Sequence, residues 1–298
     1  FAYTALRKTS STTENFMNTA HPIVSVLMTA YNREKFLAEA IESVLASTLA
    51  NFELIIVDDC STDSTVAIAQ SYASKDARIK VFVNEINLGD YNNRNRAASY
   101  ANGKYIKYWD SDDIMYPHCL QVMVSAMEKF PGAGFGLIKP HLPQYNRPYP
   151  FCIDEPFKAF FNDTTLFNNS PGSAIFSTLF FKEMNGFSGI RYIGDYEFFL
   201  KSAAHTSLVI MPAFLGWDRQ HEVQERNFDR IKYEALRYDV LFKAIKNNRQ
   251  LTVAEKEKGL KQQKNFLAAL LFKDFIKLRW KKVYQQLPLI KYLSYRFS

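Results

Sequence analysis

Short apolar runs alternate with amphipathic segments through the first third of the chain. Residues 23–29 and 52–57 are β-branched apolar runs of strand length, and a polar cluster follows each of them. Between these runs, residues 33–47 carry apolar side chains at helical spacing, and we expect Asn32 to cap that helix. The order strand, helix, strand predicts βαβ units and therefore parallel strands.

The same alternation continues to about residue 113. We expect further strands at 79–83 and 104–109 and a helix at 94–100. This pattern predicts an α/β fold with a mostly parallel, Rossmann-like sheet flanked by helices. After Pro131 the alternation weakens, and residues 139–172 are expected to form long loops or an irregular region.

Three parts of the chain are expected from these patterns. Residues 1–20 are predicted to be a disordered or non-native lead, because they lack the apolar core of a signal peptide and Met17 stands just before the first strand. Residues 21–228 are predicted to form the α/β domain, in two halves at 21–115 and 116–228. Residues 229–298 are predicted to be a helical, lysine-rich C-terminal extension.

Composition narrows the class of partner. The chain has 298 residues and a formal net charge of +7, which favours phosphate-bearing partners. No nucleic-acid recognition motif accompanies this charge, so we expect no nucleic acid among the partners. Three distant cysteines (Cys60, Cys119, Cys152) form no CxxC pair, which argues against a disulfide framework or thiolate zinc site and predicts a reducing, cytoplasmic location.

Polar clusters follow three of the predicted parallel strands, and such strand ends share one edge of the sheet, where ligands bind. Asp110, Asp112 and Asp113 are one such cluster; crowded carboxylates there favour manganese or magnesium (Mn²⁺ or Mg²⁺), the alternative being a solvated acidic turn. Asp58 and Asp59 follow another strand and could bind a base edge or a ribose hydroxyl. The alternative for this second cluster is a helix-capping loop.

Three segments at these strand ends, VSVLMTAYNRE, ELIIVDDCSTDST and NEINLGDYNNRNRAASYANGKYIKYWDSDD, together resemble the nucleotide-binding half of family 2 glycosyltransferases, which have the GT-A fold. A later segment, GFSGIRYIGDYEFFLKSA, resembles the second signature of that family. The resemblance runs from about Val24 to His221, and it implies a nucleotide-binding half at 21–115 and an acceptor-side half at 116–228.

The resemblance implies a role for individual residues. Asp110 and Asp112 match the D-x-D pair that holds the metal and the donor, Arg94 matches an arginine near the nucleotide, and Asp195 matches the catalytic base. The expected nucleotide-binding residues are Thr29, Ala30, Tyr31, Asn32, Arg33, Asp58, Asp59, Asn87, Arg94, Asp110 and Ser111. The expected metal ligands are Asp110, Asp112, Asp113 and His221. Arg219 and His221 are expected at the diphosphate, the alternative being an ordinary surface loop.

The implied reaction moves a sugar from a nucleotide-diphosphate sugar, with UDP favoured, to a hydroxyl of a glycan or lipid-linked saccharide. A single displacement with inversion is expected, with Asp195 as general base. The family usually has Glu where this chain has Gly194, so the alternative is a catalytically degenerate relative that binds nucleotide or glycan. Residues 270–298 are basic and apolar, which indicates either peripheral contact with the cytoplasmic face of a membrane or a helix packed on the core.

Overall fold

The computed structural model describes residues 21–140, 142, 145–221 and 230–276. The predicted lead at 1–20 and the part of the basic segment at 277–298 lie outside the described residues. The membrane-contact interpretation of that segment therefore stays a prediction. Among the described helices, none combines the length and the apolarity needed to cross a bilayer.

Strands and helices alternate in the first half of the fold. In chain order its elements are β1 Val24–Ala30, α1 Leu37–Leu45, β2 Phe52–Asp58, α2 Thr65–Ala73, β3 Ile79–Val83, α3 Asp90–Ser99, β4 Tyr105–Tyr108, β5 Ile114–Met115 and α4 Cys119–Lys129. The second half continues with β6 Phe135–Lys139, β7 Phe151–Ile153, α5 Pro156–Phe160, β8 Ala174–Ser177, α6 Thr178–Glu183, α7 Gly194–Ala203, β9 Leu208–Pro212, β10 Gly216–Trp217, α8 Arg230–Asn247 and α9 Val253–Ile276.

Within the described ranges the main sheet has eight strands in the order β3-β2-β1-β4-β8-β6-β9-β7. β3, β2, β1 and β4 are mutually parallel, as the βαβ alternation predicts. β8 enters antiparallel between β4 and β6, and β7 lies antiparallel on β9 at the edge. The predicted α/β class with a mostly parallel sheet and C-terminal helices is confirmed, and the sheet extends into the second half.

Apolar side chains cover both faces of this sheet. On one face, β1 and β2 pack against α1 and α4 through residues such as Val26, Ile41 and Met123. On the other face, Phe176 and Phe199 belong to a cluster of aromatic rings that also receives the C-terminal helices. Because both faces are covered, the central strands read as continuous apolar runs instead of alternating ones.

Three local expectations differ from the structure. Asn32 has a left-handed φ of 53° and its side chain accepts from the Thr62 backbone N–H at 2.9 Å, so it does not cap a helix and α1 begins only at Leu37. Helix α3 begins at Asp90, four residues before the expected start. Residues 139–172 are not simply loops, because β7 and α5 lie within them.

Candidate functional site

The polar strand ends open onto a cleft of about 890 Å³, a volume typical of small-molecule sites. The expected site residues that line it are Thr29, Ala30, Tyr31, Arg33, Asp59, Asn87, Arg94, Asp110, Ser111, Asp112 and Asp113. The walls also contain residues that the sequence pattern did not single out, namely Leu88, Gly89, Asp90, Tyr91, Asn92, Asn93, Ser170, Gly189, Arg191 and Asp218.

Five expected site residues do not line the cleft. They are Asn32, Asp58, Asp195, Arg219 and His221. Asn32 belongs to the turn before α1, and its backbone N–H donates to the Ser61 hydroxyl at 2.8 Å. The ligand contacts expected of these residues stay predictions, and the interactions that each makes within the fold are described below.

The paired carboxylates at the end of β2 both accept hydrogen bonds from the loops that follow. Asp58 is fully buried and accepts from the Ser61 backbone N–H at 2.8 Å and from its hydroxyl at 2.5 Å. Asp59 is also buried and accepts from the backbone N–H groups of Leu88 and Gly89, at 2.8 and 2.9 Å. The Asp59 carboxylate therefore fixes the loop before α3, which forms one wall of the cleft.

A buried amide pair supports the same wall. Asn84 donates to Asp59 at 2.7 Å and to the side-chain oxygen of Asn93 at 3.0 Å, and Asn93 donates to the Val57 carbonyl at 3.2 Å. Both asparagines are nearly inaccessible to solvent. Buried polar groups are tolerated when they are hydrogen-bonded, and this network links the end of β2 to the first turn of α3.

Arg94 holds two carboxylates at the cleft floor. Its Nε donates to Asp90 and its terminal nitrogen to Asp110, both at 2.7 Å. Burial alone would lower the pKa of this guanidinium, but Asp90 and Asp110 raise it well above its ordinary value. The Oδ1 atom of Asp110 accepts from Arg94, and the expected role of Asp110 as a metal ligand stays a prediction.

Asp112 lies between two cationic or basic side chains. Its Oδ2 is 3.3 Å from Arg33 Nε and 3.0 Å from His221 Nε2. The His221 ring stacks on Phe36 at a centroid distance of 4.5 Å, and its Nδ1 is buried with no hydrogen-bond partner among the described residues. Sequence reasoning left His221 between a site role and a loop role; the structure places it directly against the central carboxylate of the acidic rim.

The fit of a divalent metal can be judged from these donors. In the described part of the chain, no group of three His, Cys, Asp or Glu side chains is preassembled around a common point. Asp112 and His221 nevertheless offer one carboxylate oxygen and one imidazole nitrogen within 3.0 Å of each other. Cations that work on diphosphates commonly take one or two protein ligands and complete their shell with phosphate oxygens and water. The pair therefore fits such an ion.

Arg219 braces the acidic rim from outside the cleft. Its backbone N–H donates to Asp113 at 2.9 Å, its Nε donates to the Asp112 carbonyl at 3.0 Å, and its guanidinium pairs with Glu39. Burial, and then the charges of Asp110 and Asp112, raise the pKa of the Asp113 carboxyl to about 7. Arg219, which is expected at the diphosphate, does not line the cleft, whereas Arg33, which is expected at the nucleotide, does.

Asp195 lies in the first turn of α7, behind the cleft wall. Its Oδ1 accepts from the Tyr196 backbone N–H at 2.7 Å. The hydroxyl of Tyr91, a residue that lines the cleft, also interacts with the Asp195 carboxylate and lowers its pKa. Burial raises the pKa of Asp195 to about 6, while the two hydrogen bonds and the nearby Arg94 lower it. A carboxyl group with this pKa is ionised at neutral pH and basic enough to accept a proton.

Comparison with known proteins places this site in a family. The profile of glycosyl transferase family 2 matches residues 25–186, more than half of the chain. The chain belongs to glycosyl transferase family 2. It is 40% identical over 107 residues to an Escherichia coli protein, UDP-Glc:alpha-D-GlcNAc-diphosphoundecaprenol beta-1,3-glucosyltransferase WfgD, a match that covers 36% of this chain and 42% of that protein. Matches to the first curated relatives span only 33–42% of their lengths.

Two solved structures share the fold. S. aureus TarS, residues 1–349 in complex with UDP-GlcNAc, superposes with a TM-score of 0.63 at 24% identity, covering 80% of this chain and 70% of that one. The mannosyltransferase PcManGT from Pyrobaculum calidifontis, in complex with GDP-Man and Mn²⁺, superposes with a TM-score of 0.58 at 15% identity, covering 90% and 81%. The GT-A fold expected of this family member is thereby confirmed.

Proposed function

We propose that the protein transfers a sugar from a nucleotide-diphosphate sugar, with UDP favoured, to a hydroxyl of a glycan or lipid-linked saccharide. The observation that carries this proposal is the group of Asp112, His221 and Arg33, of which Asp112 and Arg33 line the cleft and His221 lies against the Asp112 carboxylate. His221 Nε2 lies 3.0 Å and Arg33 Nε lies 3.3 Å from Oδ2 of the Asp112 carboxylate. Family membership and the UDP-glucose donor in the name of the E. coli relative support the same chemistry.

The cleft contains groups suited to each part of the donor. Thr29 and the half-exposed ring of Tyr31 line the end formed by β1, where a base and ribose could bind. Arg33 is the cation best placed for the diphosphate, because its guanidinium already faces the Asp112 carboxylate. Asp112 and His221 would hold the divalent ion, which when bound stabilises the negative charge that grows on the leaving diphosphate.

The acceptor hydroxyl needs a base, and Asp195 supports that role best. Its pKa near 6 leaves it ionised at pH 7, and Tyr91, whose hydroxyl lowers that pKa, lines the cleft. A carboxylate that takes the acceptor proton while the sugar is displaced directly from the diphosphate inverts the anomeric centre. We therefore propose one displacement, with inversion, and no covalent glycosyl-enzyme.

We expect the acceptor to bind beside an exposed aromatic ring. Trp217 on β10 leaves about half of its surface to solvent, and its neighbour Asp218 lines the cleft. Exposed tryptophans offer a broad apolar face with a polar edge, which suits the apolar face of a sugar ring. The acceptor in the E. coli relative's name is a diphosphoundecaprenol-linked saccharide, and an acceptor of that class is proposed here, with the basic C-terminal segment as its contact with the membrane surface.

Calorimetric titration tests the donor site. UDP, GDP and their common sugars are titrated into the protein with and without Mn²⁺, in wild type, Asp112→Asn and the matched surface variant Asp76→Asn. Asp76 pairs with Arg78 at the far end of α2, so its variant controls for loss of one carboxylate. We expect Mn²⁺ to tighten binding of one nucleoside diphosphate about tenfold or more, about 1.4 kcal/mol, and Asp112→Asn alone to remove that gain. Absence of any nucleotide binding would contradict the proposal.

A further inference from the structure

The first residue of α7 is glycine for a spatial reason. A Cβ atom built on Gly194 would lie 2.9 Å from two ring carbons of Tyr91 and 3.0 Å from a third. Such distances are shorter than real Cβ contacts, and several ring atoms are involved at once, so the ring as a whole would have to move. The φ of Gly194 is not left-handed, so the space taken by Tyr91, and not the backbone conformation, requires glycine.

Tyr91 is held in this space from several directions. Its side chain is 5% exposed, it lies in the first turn of α3, and its ring packs against Phe187 at a centroid distance of 5.3 Å. Burial and the nearby Asp195 charge raise the pKa of the Tyr91 hydroxyl, so the hydroxyl stays protonated and is a donor. The hydroxyl faces Asp195, and it interacts both with the carboxylate, whose pKa it lowers, and with the backbone of that residue.

We propose that Tyr91 is the positioning residue of Asp195, and that Gly194 clears the space that lets its ring reach this carboxylate. The inference rests on the proposed role of Asp195 as the base. It gives a physical reason for glycine at the position where the family usually has Glu. It also makes the residue tolerated at position 194 depend on the ring at position 91. On this account Gly194 is part of a working site and not a mark of lost activity.

The consequence for Asp195 follows from its surroundings. The groups that face it are Tyr91, Arg94 and Asp90 from α3, Tyr233 from α8 and the Tyr196 backbone N–H of its own helix. Tyr91 and the Tyr196 N–H stabilise the ionised carboxylate, whereas burial opposes ionisation. Removing the Tyr91 hydroxyl removes one interaction that stabilises the ionised Asp195 carboxylate, while burial still destabilises it. The pKa of Asp195 should therefore rise.

Carbon-13 NMR titration of protein labelled at aspartate carboxyls measures this directly and needs no substrate. The Asp195 resonance is assigned by its loss in Asp195→Asn. In Tyr91→Phe we expect its titration midpoint to rise by about one pH unit, the size of one hydrogen bond to a carboxylate. Tyr105→Phe is the matched control, because Tyr105 is also buried and bonds a carboxylate, Glu128 at 3.1 Å, away from the cleft. An unchanged midpoint in Tyr91→Phe overturns the proposal.

A double-mutant cycle tests the spatial half of the proposal. Gly194→Ala should lower the urea midpoint of unfolding in wild type, since the new methyl displaces the Tyr91 ring. In a Tyr91→Ala background the same change should have no cost or a slight benefit, because alanine is the better helix former. Equal effects of Gly194→Ala in both backgrounds would show that the two positions are independent and overturn the proposal.

Failure of the Tyr91 proposal can be told apart from failure of the proposed function. The pH profile of UDP release from UDP-glucose and UDP-GlcNAc is recorded for wild type and Tyr91→Phe. If the Asp195 midpoint rises and the acid limb of the profile moves with it, both stand. If the NMR midpoint rises but the acid limb stays, Tyr91 positions a carboxylate that is not the base; the positioning contact stands and the base assignment falls.

Discussion

Replacing Asp59 by asparagine tests whether the carboxylate of Asp59 stabilises the fold. The change keeps the shape of the side chain and exchanges one oxygen for an NH₂ group. Oδ1 accepts from Asn84 at 2.7 Å and from the Leu88 backbone N–H at 2.8 Å, while Oδ2 accepts from the Gly89 backbone N–H at 2.9 Å. Whichever way the amide turns, its NH₂ group faces at least one of these donors, because an amide nitrogen cannot accept.

The magnitude follows from that geometry. The best orientation keeps the two bonds to Oδ1 and loses the one from the Gly89 backbone N–H, which lies at an exposed residue and still donates to the Asn87 side chain at 3.1 Å. A hydrogen bond to a charged group contributes about 1.5–3 kcal/mol. Because Gly89 keeps a partner, we expect Asp59→Asn to lower the free energy of unfolding by about 1.5–3 kcal/mol. The loop that carries Asn87 and Gly89, and with it one wall of the cleft, should loosen.

Urea unfolding followed by tryptophan fluorescence at pH 7.5 measures the change, with Asp58→Asn as the matched control. Asp58 accepts from the backbone N–H and the hydroxyl of Ser61. The hydroxyl can rotate to accept from a new amide, so we expect a cost of only about 0.5–1.5 kcal/mol there. A loss below about 0.5 kcal/mol in Asp59→Asn, or a larger loss in Asp58→Asn, would refute the reasoning.

Three further outcomes are expected. His221→Ala should remove the Mn²⁺ dependence of UDP binding measured by calorimetry, whereas His205→Ala, at an exposed position after α7, should keep it. Trp217→Ala should raise the KM for a lipid-linked saccharide acceptor about tenfold with donor affinity unchanged, an effect absent if the ring does not touch the acceptor. Because burial raises the pKa of Asp195 to about 6, kcat/KM should be full above that pH and fall as pH drops through it; a flat profile down to pH 5 would exclude Asp195 as the base.

The parallel half of the fold could be predicted from the sequence because its signals are local. Strands β1 and β2 are buried on both faces and read as unbroken apolar runs, so their bounds were predicted within one residue. β8 could not be placed in the same way. It pairs antiparallel between β4 and β6, and such non-local pairing leaves no periodic mark in its four residues.

The start of α3 was missed for a related reason. Asn92 and Asn93 are weak helix formers, and the predicted start at Arg94 lies directly after them. In the structure Asn93 is buried and hydrogen-bonded to Val57, and tertiary contacts override its low helix propensity. Asp90 and Arg94 have the (i, i+4) spacing of a helical ion pair, which forms in the structure. This spacing is a local sequence signal for the earlier helix start.

The part of the candidate site that lies at the strand ends could be predicted from the sequence. Thr29, Tyr31, Arg33 and Asp112 meet at one cleft because parallel strands end on one edge. The hydrogen-bond partners of each carboxylate could not be predicted, because Asp59 accepts from backbone N–H groups that lie 29 and 30 residues away in the chain. The contact of Tyr91 with Gly194 joins residues of two helices about a hundred positions apart, and only the packed structure shows it.

The most direct test of the proposed function is sugar transfer itself, measured for wild type and Asp195→Asn with UDP-glucose or UDP-GlcNAc, Mn²⁺ and a diphosphoundecaprenol-linked saccharide. The anomeric configuration of the product is read by NMR, and donor binding of the variant is measured by calorimetry. We expect wild type to transfer the sugar with inversion, and Asp195→Asn to bind the donor normally while transfer falls by at least about a thousandfold. Retained configuration, or unimpaired transfer by Asp195→Asn, would contradict the mechanism proposed here.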